Sequence, residues 1–115
     1  MSKAKRSITL EIKGRPWTFT LMPDKAFDKL HNVDGGSRTG MTWASQYRVD
    51  FRASDWTLTD IIHELGHVVY AMAPTRSADL SVADVEETMC DIYSTDYFDI
   101  RLWSSRIAEC FFGRE

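Results

Sequence analysis

Ile8, Leu10 and Ile12 alternate with polar residues, and after Gly14-Arg15-Pro16 the alternation resumes at Trp17, Phe19 and Leu21. A period of two sends successive side chains to opposite faces, so these runs predict a β-hairpin with one apolar face and a turn at Gly14 to Pro16. A short helix is expected from Pro23 to His31. Residues 32–40, with three glycines, an aspartate and a serine, predict a mobile loop. From Met41 to Arg52, Trp43, Tyr47, Val49 and Phe51 fall on one face, and Thr42, Gln46, Arg48, Asp50 and Arg52 on the other. That predicts a third strand.

Beyond it the pattern turns helical. Thr57 and Asp60 suit a capping-box start, in which each satisfies a backbone N–H of the other, and Pro74 stops the helix after Ala73. Ile61-Ile62 and Val68-Val69 make this helix largely buried, and Gly66 in its interior costs about 1 kcal/mol relative to Ala, which predicts a packing or close-approach reason for it. A second helix is expected from Ser81, its N-cap, to Trp103, with Val85, Met89 and Ile92 on its apolar side and Asp84, Glu87, Thr88, Asp91 and Thr95 on its polar side. Leu102, Trp103, Ile107, Phe111 and Phe112 continue helical spacing as an extension or a third helix, whose apolar stripe is expected in the core, with a dimer contact as the alternative.

A chain of 115 residues is sized for a single domain, 1–115. The net charge of −3 argues against a nucleic-acid binder, and Lys3, Lys5 and Arg6 make a short basic arm over residues 1–6. No run approaches the roughly 20 apolar residues that span a bilayer, so no membrane partner is expected. The polar start lacks the apolar stretch of a secretory signal, and Cys90 and Cys110 lack disulfide-scaffold spacing, which together predict a cytoplasmic protein. Cys90 is expected as a small buried residue.

The chemistry lies in His63-Glu64-Leu65-Gly66-His67. Four residues turn a helix by about 400°, so His63 and His67 project from one face about 6 Å apart along the axis, and both can serve one ion. Zinc accepts imidazole nitrogen, and catalytic zinc sites take three protein ligands and leave one position for water. Glu64, about 100° around from His63, can flank that ion and take a proton from its water. The third ligand is expected from the second helix. Glu87 is preferred because Asp91 follows one turn later, with Glu86 as its rival.

His63-Glu64-x-x-His67, followed twenty residues after the second histidine by Glu87-x-x-x-Asp91, resembles the gluzincin metallopeptidases. The stretch Glu87-Thr88-Met89-Cys90-Asp91-Ile92-Tyr93-Ser94 is similar to that of the short ImmA/IrrE-type metallopeptidase domains, which read E-x-x-A-N-x-F-A there. Cys90, Asp91, Tyr93 and Ser94 stand for the small residue, Asn, Phe and Ala of that pattern, and the likeness covers residues 57–98. It implies that His63, His67 and Glu87 bind zinc, that Glu64 activates the water, and that Asp91 accepts the free ring N–H of a ligating histidine, His63 first. It also implies that the strand before the motif helix lies at a sheet edge where an extended peptide could pair.

The expected fold is therefore α+β: a small zincin-like domain with a three-stranded, mainly antiparallel sheet packed on the motif helix and a second long helix. The expected function is zinc-dependent hydrolysis of peptide bonds in a protein or peptide substrate, with Glu64 as general base. The alternative is a zinc-containing protein-binding or regulatory module with little or no peptidase activity, for which the short chain speaks. For the oxyanion, Tyr70, Tyr93, His31 and Arg76 are the nearest candidates. Core packing is the expected role of both tyrosines, and a favourable charge at a helix C-terminus or a surface position that of His31.

Overall fold

Lys13 and Gly14 both take positive φ, 53° and 83°. Two such residues in succession make the mirror-image turn that matches strand twist, so the hairpin reverses there rather than at Gly14 to Pro16. It joins β1 (Arg6–Ile12) to β2 (Arg15–Met22) in antiparallel register, with Leu10 opposite Trp17 and Ile8 opposite Phe19. Pro16 sits inside β2 at no cost to the ladder, because β4 pairs with β2 only from Thr18 onward. Arg6, expected in the flexible arm, begins β1. The computed structural model describes residues 6–31, 39–73 and 81–113. The rest of the basic arm, most of the expected loop at 32–40, the helix stop at Pro74 and Arg76 lie outside these.

After α1 (Asp24–His31) the chain enters β3 (Gly40–Trp43) and β4 (Arg48–Arg52). The single strand expected from Met41 to Arg52 is thus two. A 3-10 turn at Ala44–Gln46 and a left-handed Tyr47, at φ 53°, fold it into a hairpin with Thr42 opposite Val49. The sheet accordingly has four strands in the order β1-β2-β4-β3, and β4 runs parallel to β2. It is four-stranded rather than three-stranded, antiparallel in two of its three pairings and parallel in the third, and β4 is internal. The fold class remains α+β.

One sheet face carries the core. Leu10, Ile12, Trp17, Phe19, Leu21, Val49 and Phe51 pack against Ile61, Leu65, Val68 and Val69 of α2 (Leu58–Ala71) and Ile100, Ile107 and Phe111 of α4 (Tyr97–Phe112). The other face is polar over β1 and β2, where Ser7 meets Thr20 and Thr9 meets Thr18 at 3.1 and 3.0 Å. Over β4 it is covered by α1. His31 Nε2 donates to Asp50 Oδ2 at 2.8 Å, and Arg52 donates to both Asp28 oxygens, at 3.0 and 3.2 Å. The hydrogen bond to Asp28 raises the Arg52 guanidinium above its usual value. His31 is therefore buried under α1 and not on the surface, because an internal strand with acidic and basic outward residues must find partners for them.

The capping box is present: Asp60 N–H donates to Thr57 Oγ1 and Thr57 N–H to Asp60 Oδ2, at 3.2 and 2.8 Å. α3 (Val82–Asp91) follows Ser81 as expected and runs through a π-helical segment (Ile92–Asp96) into α4, so one helical run extends from Val82 to Phe112. Its buried positions include Thr88, Ile92, Asp96, Ile100 and Ser104. Asp96 reaches back to Lys13 of the first turn at 2.7 Å.

That line of burial corrects several expectations. Val85 and Met89 are exposed although Ile92 is buried, Cys90 is exposed, and Tyr93 is 76% exposed. Along α4, Ile107 and Phe111 enter the core while Leu102 and Phe112 stay exposed, the latter against the Trp56 ring at 5.1 Å. Burial pushes the Cys110 thiol above its ordinary value, which makes it a weak nucleophile. Among the described residues no helix is long and apolar enough to cross a membrane.

Candidate functional site

The motif helix α2 lies across β3, and a cleft of about 330 Å³ opens between them, lined by Gly40, Met41, Thr42 and Ala44 from the sheet side and His63, Glu64, His67, Tyr70 and Ala71 from the helix. The capping box fixes where α2 starts, so the phase of every later side chain is set from Thr57 onward. His63 and His67 are exposed at the cleft, ring centroids 4.9 Å apart and planes at 80°. Glu64 turns inward and is only 8% exposed.

A buried carboxylate needs hydrogen-bond donors. Thr42 Oγ1 donates to Glu64 Oε1. Two residues earlier on the same face of β3, Gly40 leaves room for the Glu64 stem: a Cβ there would lie 3.0 Å from Glu64 Cγ and 3.1 Å from Oε2. Sequence reasoning missed both residues. Continuous alternation from Met41 to Arg52 puts Thr42 opposite the face of Val49 and Phe51, but the turn at Ala44–Gln46 shifts the parity and brings Thr42 level with Val49, toward α2.

Among the described residues β3 is the sheet's edge on this side. Arg52 N–H donates to Thr39 O at 2.9 Å, which fixes the antiparallel alternation: Met41 and Trp43 bond to β4, and the main-chain groups of Gly40 and Thr42 face the other way. The strand directly before the motif helix, β4, is not the edge. β3 occupies that place.

On the far side of the histidines, α3 presents apolar side chains. Ile62, His63, Gly66, His67, Tyr70, Val85 and Met89 line a groove of about 460 Å³. Glu87 and Asp91 each lie two residues beyond one of those α3 positions, about 200° around the helix, and both are exposed. Glu86 lines the adjoining groove with Ile62, Gly66 and Met89. The structure therefore brings His63, Glu64 and His67 to one cleft and does not bring Glu87 or Asp91 to them. Among the described residues no three His, Cys, Asp or Glu side chains group closely enough to hold a metal ion. The donors on α2 suit zinc by kind and by their shared helix face, and the carboxylate that would complete the set is not presented to them.

Tyr70 packs partly against the core, as expected, and also lines the cleft beside both histidines. Among the described residues Gly66 has no close neighbour: a Cβ there meets nothing within 4 Å, so they supply no packing reason for it. Gly66→Ala is accordingly expected to stabilise the fold by about 1 kcal/mol, from helix propensity alone, readable as a higher unfolding midpoint in urea. An unchanged or lower midpoint would show that the groove wall tolerates no methyl group. Comparison with protein-family models, with curated proteins and with solved structures found no match.

Proposed function

We propose that the protein is a zinc-dependent hydrolase of peptide bonds, and that His63 and His67 hold the metal. The observation that carries this is one cleft in which two imidazoles on one helix face flank a buried carboxylate beside a strand that is the sheet's edge among the described residues. When bound, zinc supplies Lewis acidity that lowers the pKa of water toward 7 and polarises the scissile carbonyl. Glu64 takes the proton from the attacking water and returns it to the leaving amine. The main-chain N–H and C=O groups of Gly40 and Thr42 pair with an extended substrate, as an added strand does, and hold its carbonyl over the cleft.

The third ligand would come from α3. Glu87 is the assignment, and Glu86, one position around and already beside Ile62 and Gly66, is the competitor. Metal analysis after dialysis against zinc is expected to give one zinc per chain. Glu87→Gln is expected to weaken zinc binding by at least about 100-fold and Glu86→Gln to leave it unchanged, the opposite pattern assigning Glu86. Cleavage of a quenched-fluorescent peptide library should be abolished by a chelator and restored by zinc. Cleavage indifferent to the chelator would overturn the proposal.

A second reading has one observation in its favour: Glu87 faces away from the histidines, while apolar grooves border them. A zinc-containing module that binds a protein partner without cutting it would have these features. Stoichiometric zinc together with no cleavage of any library peptide would select it.

A further inference from the structure

We propose that Thr42 is a positioning residue for Glu64, and that with the side-chain-free Gly40 it forms a cradle on the inner face of the edge strand which holds the carboxyl in its working place. The proposal rests on Glu64 acting as the general base.

Glu64 is a long side chain, and a long side chain on a helix has several rotamers open to it unless packing and hydrogen bonds select one. Two contacts from one strand do so here. Thr42 Oγ1 donates to Oε1 and fixes the carboxyl group. The bare Cα of Gly40 accepts the stem at a separation that a Cβ would reduce to 3.0 Å from Cγ and 3.3 Å from Cδ. Because Gly40 and Thr42 are two apart, both face α2, while Trp43 packs on the outer side. The Arg48 guanidinium lies 4.6 Å from the Trp43 ring on that outer side, and Asp50, which holds Arg48 at 2.8 Å, is itself held by His31. β3 is thereby anchored from behind, as a positioning element must be.

The same two residues turn their main-chain groups to the open edge. A substrate strand hydrogen-bonded there is registered against the backbone of the residues whose inner side holds Glu64. One short strand thus fixes both the scissile bond and the base that serves it. A general base misplaced by about 1 Å loses on the order of 10²-fold in rate, so loss of the cradle appears in turnover more than in substrate binding.

Thr42→Val keeps the shape and removes the donor. With the best-cleaved sequence of a quenched-fluorescent peptide library as substrate, kcat is expected to fall about 10- to 100-fold with KM and bound zinc unchanged. Thr42→Ser, which restores the hydroxyl, should recover kcat to within about threefold, and Gly40→Ala should lower kcat by displacing the stem. A kcat for Thr42→Val within about twofold of wild type, or a loss that Thr42→Ser fails to recover, overturns the proposal. The contact is also read without turnover, by urea unfolding of Thr42→Val, Glu64→Ala and the double variant, since alanine removes the acceptor that glutamine would keep. Coupling of about fivefold or more in the unfolding constant is expected, and additive effects overturn the cradle. Absence of cleavage by the wild-type chain would count against Glu64 as a base and leave that coupling measurement standing on its own.

Discussion

Glu64→Gln is expected to lower kcat by roughly 10²- to 10⁴-fold and to leave one zinc per chain bound, to be read by steady-state cleavage and metal analysis on the same preparation. Gln keeps the length of Glu64 and an oxygen that can still accept from Thr42 Oγ1, so the cradle is preserved and only the capacity to take a proton is lost. The inward turn of Glu64 separates it from the exposed His63 and His67, which is why its removal should not release the metal. If zinc leaves with the carboxylate, Glu64 is a ligand and not a base. If cleavage continues at the wild-type rate, the proton goes elsewhere.

His67→Ala is expected to be as severe through a different quantity. Removing one of two imidazoles on a helix face leaves a single nitrogen donor on α2, and zinc affinity should drop by more than the 10- to 100-fold typical of losing a supporting hydrogen bond to a ligand. Isothermal titration with zinc reads this directly. The thermal midpoint provides an independent check, because a metal that binds only the folded chain raises it by mass action, and that rise should vanish in His67→Ala. The exposed side chain itself contributes little packing, so the two proteins should unfold alike without zinc. Equal zinc affinity in the two would remove His67 from the site.

The elements that sequence patterning found are those whose signal is local. Alternation at Ile8, Leu10 and Ile12 and at Trp17, Phe19 and Leu21 sufficed for the hairpin, and Thr57 with Asp60 sufficed for the start of α2, because each pattern and its partner lie within a few residues. The break between β3 and β4 was not legible. Ala44-Ser45-Gln46 carries no glycine or proline, and the residue in the left-handed region is Tyr47, a rare choice for it. That one turn decides which way Thr42 faces, and with it half of the surroundings of Glu64. That the polar residues on β4 are covered was not legible, because what covers them, Asp28 and His31 of α1, lies 24 and 19 residues earlier in the chain. The histidine pair and its neighbouring carboxylate were legible from spacing, whereas the orientation of α3 was not, since an amphipathic pattern with Val85 and Met89 on one side and Glu87 on the other does not say which side meets α2.

The π-helical segment at Ile92–Asp96 acts on that orientation as a phase correction. Thr88, Ile92, Asp96, Ile100 and Ser104 recur at a strict interval of four, and on an uninterrupted α-helix such a series drifts by about 40° per step, far enough over four steps to wind its last members off the sheet. One wider turn takes up part of the excess, as an inserted residue would. Winding the same residues as ordinary α-helix would swing the downstream half through about 90°, so Ile107 and Phe111 would vacate the interior while Arg106 and Cys110 rotated toward it. The carboxyl-terminal helix is thus geared to the first hairpin, where Asp96 meets Lys13, through one wide turn, and straightening that turn without removing a residue would unseat the layer.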